Sequence, residues 1–213
     1  MDPRGEDGIA LLVALMAMLL LTALGAAVLL TTASETMIAA SFRASTDALY
    51  AADAALERAI DGLPAAPDWS VLLGGLTPST FADGAPGGVR TLPDGSPLDL
   101  DQVVNLANCQ KTAPCSSADM DTVTADRPWG RRNPRWVLYG YGPLADVLAG
   151  GTVNSACYVV VLIGAPVDPA SSASGTLAIR AESFGPRSAH KVVESTVERA
   201  DTGVRMLSWR TVR

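Results

Sequence analysis

Three cysteines are the first residues of this chain whose chemistry could form a covalent cross-link or bind a metal. Cys109 and Cys115 enclose the polar segment NCQKTAPC, and a disulfide across such a short loop suits an oxidising compartment. Zinc is the rival interpretation, but two thiols without a CxxC spacing and a single distant histidine make a poor zinc site. We therefore expect a Cys109–Cys115 disulfide and a buried free thiol at Cys157, which lies in an apolar run.

Catalytic side chains form no recognisable arrangement in the sequence. His190 is the only histidine, and the sequence contains no nucleophile elbow, P-loop or dinucleotide-binding fingerprint. Asp94, Asp99 and Asp101 offer oxygen ligands for calcium, but they lack the order of an EF-hand loop, and such residues mostly form turns. We therefore predict a protein that is not an enzyme and that uses no cofactor or metal.

The segment DRPWGRRNPRWVLYGYG is the one candidate for nucleic-acid binding. Arginines beside flat aromatic rings are how proteins hold single-stranded nucleic acid. The candidate patch comprises Trp129, Arg131, Arg132, Arg135 and Trp136. The alternative is a solvated loop that leads into a strand whose aromatic side chains point into the core. We favour this alternative, because the chain has a net charge of −6 and nucleic-acid binding usually needs a basic surface.

An uncharged apolar segment, from Ile9 to Ser34, precedes all of these residues. About 20 apolar residues in a helix span the hydrocarbon core of a bilayer, whereas the apolar part of a secretory signal has about 7 to 15. Cleavage by a signal peptidase after Gly25 would fall in the middle of this run. We therefore predict a membrane-spanning helix over residues 9–31.

The same helix is expected to continue over residues 32–62 as an amphipathic segment. It is rich in alanine, a strong helix former, and contains no glycine or proline before Gly62 and Pro64, which would end it. Apolar residues at helical spacing form one predicted stripe, made of Ile38, Phe42, Leu49, Leu56, Ile60 and Leu63, with Ala52 and Ala59 between them.

The rest of the chain, residues 63–213, is expected to form a globular head against which this stripe packs. Residues 63–134 are dense in proline, glycine and aspartate and are predicted to be irregular, with a short helix near Leu98–Ala107. Residues 135–213 are predicted to form strands joined by short turns, hence an antiparallel meander. The run CYVVVLIGAPV predicts a central strand that is covered on both faces. The expected fold class is α+β, with a long helix on an antiparallel sheet.

This plan resembles type IV pilins and pseudopilins. More narrowly, GIALLVALMAMLLLTALG with TTASETMIAASFRASTDALYAADAALERAI is similar to the amino-terminal domain of PilX-type minor pilins, over about residues 5–61. The resemblance implies a pilin-like fold and a leader, residues 1–8, that a prepilin peptidase removes between Gly8 and Ile9 before methylating Ile9. It also implies a helix that anchors the chain in the bacterial inner membrane, with a periplasmic head. That helix later packs against other pilins in a filament at the cell surface.

Two positions depart from the family pattern. Most pilins have glutamate as the fifth mature residue, where this chain has Val13, and family leaders are usually basic, whereas this one carries one arginine and three acidic residues. The valine favours a subunit at a filament end, which helps to initiate, prime or cap a type IV pilus or a type II secretion pseudopilus. The alternatives are a single-pass anchored periplasmic protein with a β-rich interaction head, and a pilus-tip adhesin or DNA-binding minor pilin.

Overall fold

The computed structural model describes residues 4–75, 79–122, 130–148, 155–165, 175–201 and 203–212. The chain forms two compact units, Met1–Arg43 and Ala44–Arg213, and the first helix has residues in both. The described helices are α1 (Arg4–Gly62), α2 (Trp69–Leu73), α3 (Leu100–Cys109), α4 (Ser117–Met120) and α5 (Leu144–Val147). The long N-terminal helix is therefore confirmed, and it ends at the glycine that the sequence indicated.

The second unit contains the strands, and they confirm the α+β class. Two sheets are formed by β1 (Val89–Thr91), β2 (Pro97–Asp99), β3 (Trp136–Pro143), β4 (Tyr158–Gly164), β5 (Thr176–Gly185), β6 (Ala189–Ala200) and β7 (Gly203–Val212). The larger sheet has the order β3-β4-β5-β6-β7, and every neighbouring pair is antiparallel, as the predicted meander requires. The smaller sheet is the hairpin of β1 and β2.

Alanines of α1 pack against one face of the large sheet. This buried face consists of Ala48, Ala51, Ala52, Ala55, Leu56 and Ala59, followed by Leu63 just beyond the helix. The sheet contributes valines and isoleucines such as Val161, Ile163 and Ile179. Small side chains let the helix backbone approach the sheet closely, and the branched side chains of the strands fill the space between them.

The predicted apolar stripe was therefore partly wrong. Leu56 and Leu63 are buried, but Ile38 and Phe42 are 69% and 74% exposed. Leu49 and Ile60 are half-buried at the margin of the core rather than at its centre. Ala52 and Ala59 of the predicted stripe are fully buried, and the packed face is defined mainly by such small residues rather than by the bulky ones.

The opposite face of the sheet is covered by the hairpin and α3, so the described part of residues 63–134 is more ordered than predicted. Strand β4 lies between the two cores: Val159, Val161 and Ile163 face α1, while Tyr158, Val160 and Leu162 face α3. The prediction of a strand covered on both faces is confirmed. The short helix begins two residues later than predicted because the Asp99 side chain accepts hydrogen bonds from the first backbone N–H groups and caps it.

The outer edge of β3 is covered by a segment of the same chain. Backbone hydrogen bonds join Ser79 N to Tyr139 O at 2.7 Å, Asp83 N to Tyr141 O at 2.9 Å and Tyr141 N to Phe81 O at 3.2 Å. Gly140 permits this approach, since a Cβ atom there would lie 2.4 Å from the Phe81 ring.

Candidate functional site

The most extensive exposed apolar surface belongs to α1 within the first unit. The large aliphatic side chains from Ile9 to Leu30 are 57% to 73% exposed. They are exposed even though the helix is strongly apolar, with a mean hydropathy of 2.6 in its most apolar stretch. By length and composition this helix could span a membrane. Apolar side chains on every side of a helix indicate surroundings that are apolar on every side.

Threonines inside this apolar helix satisfy their own hydroxyl groups. Thr22 donates to the carbonyl oxygen of Leu19 at 2.9 Å, and Thr31 donates to that of Ala27 at 3.0 Å. Thr32 makes the same kind of bond one position further along. A hydroxyl that is bonded to its own helix costs little in surroundings without water, so these residues do not interrupt the apolar surface.

The predicted processing residues lie at the start of this surface. Gly8 and Ile9 are both within α1, and Ile9 is 67% exposed. Val13, which stands where the resembling family has glutamate, lies one helical turn later and is 59% exposed. Cleavage before Ile9 and its methylation stay predictions.

A disulfide joins Cys109 and Cys115, the pair that the sequence favoured, and fixes the end of α3 to the loop before α4. The loop is further held by an ion pair between Lys111 and Asp119. The hydrogen bond from Lys111, with those from Ser116, lowers the pKa of Asp119 to about 2. The third cysteine, Cys157, is a free buried thiol. These residues form a structural clamp.

The arginine and aromatic segment does not assemble into a stacking surface within the described residues. Trp136 is only 3% exposed and belongs to the core beneath α3, so it offers no ring face to a base. Arg135 pairs with Asp121, and Arg131 is 91% exposed and 4.0 Å from the same carboxylate. Arg132 is exposed at the surface, and Trp129 lies outside the described residues.

The aspartates weighed as calcium ligands are each engaged in local backbone structure. Asp94 accepts hydrogen bonds from the backbone and hydroxyl of Ser96, and Asp99 caps α3. Asp101 accepts from the backbone N–H of Gly88 at 3.0 Å. Over the part of the chain that the structure describes, no group of three or more histidine, cysteine, aspartate or glutamate side chains could hold a metal ion.

A network of charges crosses β5, β6 and β7 on the sheet face opposite α1, and it is buried at Glu182 and Glu194 but exposed at His190 and Arg210. Arg180 lies 2.7 Å from both Glu182 and Glu194, and Arg210 donates from Nε to Glu194 at 3.0 Å. His190 lies 2.8 Å from Glu182 and stacks on a phenylalanine ring. The His190 side chain is 46% exposed, and its pairing with Glu182 is not apparent from the alternating pattern of the strands.

The pKa of Glu182 reports how these charges balance. Burial alone would raise that pKa, but the hydrogen bond with His190 and the charge of Arg180 outweigh it and hold the pKa below its usual value. The charged groups thus neutralise one another inside the sheet, and we assign them a role in the fold rather than in chemistry.

An open groove of about 350 Å³ lies within the second unit, where α1 ends near α2. Its walls are mostly apolar and include Leu72, Phe81 and Tyr139. Arg58 lines it and donates to the Thr80 hydroxyl at 3.1 Å. Among the described residues, its lining contains no histidine, cysteine or lysine.

Comparison with known proteins finds no matching family model, no matching curated protein and no matching solved structure for this chain.

Proposed function

We propose that this chain is a minor pilin or pseudopilin of the PilX type, a non-enzymatic subunit that helps to initiate, prime or cap a type IV pilus-like filament. Its helix would anchor it in the inner membrane, and a prepilin peptidase would remove residues 1–8. After assembly the same helix would pack against the helices of other pilins.

The exposed apolar surface between Ile9 and Leu30 is the observation that carries this proposal. A soluble protein rarely leaves contiguous apolar patches of more than a few hundred Å² uncovered, so such a surface favours a lipid or protein partner. Helices that associate inside a membrane rely on close packing, which small residues permit. This segment supplies them at Ala10, Ala14, Ala17, Gly25, Ala26 and Ala27.

The second unit supports a subunit with a packed head. In it, α1 is held by its alanine face on an antiparallel sheet, and the buried charges there are paired with one another. This layout is compatible with a pilin, in which the head is a rigid body carried by the helix.

Val13 supports a position at a filament end. A carboxylate at bilayer depth costs several kcal/mol unless it is paired, so a chain that needs no partner there gains by omitting it. In the resembling family the glutamate is thought to meet the amino terminus of a neighbouring subunit. A terminal subunit has no such neighbour on one side.

Labelling of sheared filaments tests the proposal. Filaments from the native host would be decorated with gold-labelled antibody against this chain and compared with filaments from a Val13→Glu strain. We expect the wild type at filament ends and the variant also along the shafts. Even labelling of the wild type would reject the position at the end, and absence of the chain from filaments would reject the proposal itself.

A single-pass anchored periplasmic protein is the second candidate. It is favoured by the acidic leader, in which Arg4 stands against Asp2, Glu6 and Asp7, because the leaders that prepilin peptidases remove in the resembling family are usually basic. The two candidates differ in whether the leader is removed.

A further inference from the structure

We propose that β7 is a docking edge for an extended segment of another polypeptide, one in which acidic and apolar side chains alternate. Strand β7 is last in the sheet order, and residues 205–211 are exposed throughout. Among the described residues, its backbone pairs with β6 alone. An unpaired strand edge offers a row of N–H and C=O groups to an added strand.

The two edges of the sheet differ in a way that supports this assignment. The edge at β3 is covered by the chain's own Ser79–Asp83 segment, which bonds to Tyr139 and Tyr141. The edge at β7 has ten residues and carries three large exposed apolar side chains, Met206, Leu207 and Trp209. An exposed strand of this length and composition is expected either to be protected or to be used.

The two faces of β7 specify the chemistry of the partner. Met206 lies opposite Val197 and Trp209 opposite Ser195, on the face that meets α1, and Trp209 Nε1 donates to Asp53 of that helix at 2.9 Å. Arg205 and Arg210 lie on the other face. They pair with glutamates of β6, yet their side chains remain 67% and 48% exposed. An added strand would therefore meet apolar groups on one face and, on the other, two partly exposed arginines that also pair with Glu198 and Glu194.

Charge disfavours a second copy of β7 paired in the register centred on Leu207 and Ser208. Two copies paired antiparallel about Leu207 and Ser208 would place Arg205 of each opposite Arg210 of the other, and like charges directly opposite are destabilising. Strand β7 contains no acidic residue to compensate. The two arginines thus oppose self-association while favouring a strand with aspartate or glutamate at those positions. Because β7 belongs to the second unit, this inference does not depend on the filament proposal.

Synthetic peptides test the docking edge on the full chain in lipid nanodiscs, with empty nanodiscs as the blank. The probe is a ten-residue peptide of alternating valine and glutamate, and we expect it to bind. Methylating alternate backbone nitrogens on the side that faces β7 should abolish binding, since the added strand then loses its donors. Replacing glutamate by lysine should weaken binding at least ~3-fold through two unfavourable pairs.

Matched variants locate the site on the protein. Arg205→Gln should weaken binding of the valine–glutamate peptide about two- to fivefold, the range of one cross-strand charge pair. Arg131→Gln removes the same charge from a more exposed position elsewhere and should leave binding unchanged. The proposal is overturned if the peptide does not bind, if its methylated or lysine forms bind equally well, or if both arginine variants weaken binding alike.

Discussion

The two parts of α1 differ in what surrounds their apolar side chains. Up to Leu30, bulky aliphatic residues occupy all sides of the helix and are exposed. From Ala44 onward, the residues with no exposed surface are mostly alanines, and the sheet of the same chain covers them. The comparison teaches that hydrophobicity alone does not identify a core face. Side-chain size identifies it here, because the internal partner needs close approach and an external apolar medium does not.

The largest difference in stability between the two parts is expected from truncating one leucine side chain to alanine in each. Leu56→Ala should reduce the free energy of unfolding by about 3 kcal/mol, since it leaves a cavity under the sheet. Leu20→Ala should change it by less than about 0.5 kcal/mol. Urea denaturation in detergent, followed by tryptophan fluorescence, measures this, because all four tryptophans lie in the second unit. Equal losses would contradict the contrast.

Enlarging an alanine in each part should give a smaller effect of the same kind. Ala52→Leu is expected to destabilise the second unit by about 2 kcal/mol, because the added atoms overpack the contact between α1 and the sheet. Ala17→Leu adds the same atoms where the helix has no internal partner. It should leave the denaturation midpoint unchanged. If Ala52→Leu were tolerated equally well, the alanine face would not be closely packed.

Lowering the pH should also affect the two parts differently, with a smaller effect than the two pairs of substitutions. The pKa of Glu182 is lowered in the folded chain, so its ionised form adds stability that is present above the unfolded pKa of about 4.3 and is lost as pH falls through the folded value. Residues Ile9 to Ser34 contain no ionisable side chain. We expect the urea denaturation midpoint of the second unit to decrease as the pH is lowered from 7 to 3.

A matched variant assigns this acid sensitivity. Glu182→Gln should lower the midpoint at pH 7 and reduce its dependence on pH, while the helical signal of the first part stays constant in circular dichroism. If Glu182→Gln were as acid-sensitive as the wild type, groups other than Glu182 would cause the acid sensitivity.

Local patterns in the sequence were enough to predict α1, the five-stranded meander and a β4 strand covered on both faces. Each depends on composition and spacing within one segment. The burial of Arg180 and Glu182 was not predictable in this way, because it depends on the register that brings Glu194 of β6 opposite Arg180. The start of α3 depends on a single cap at Asp99, which the apolar pattern does not reveal.

The candidate surface was predictable for the same reason as α1, since a long uncharged run is a local feature. The position of the candidate nucleic-acid patch in the fold was less predictable. Whether Trp136 points into the core depends on α3, which lies elsewhere in the sequence and covers that side chain. Residue types along this segment predicted the strand and favoured aromatic side chains in the core, and the burial of Trp136 agrees with that prediction, but they did not identify the element that covers it.

The mature amino terminus tests the central proposal most directly, namely that the exposed part of α1 is kept and becomes the start of the mature chain. Mass spectrometry of the protein from its native host should find a chain that begins at N-methylated Ile9. Gly8→Val should prevent this cleavage, and the matched Gly5→Val should not. An amino terminus at an intact Met1, or a cut inside the apolar run after Gly25, would contradict the account.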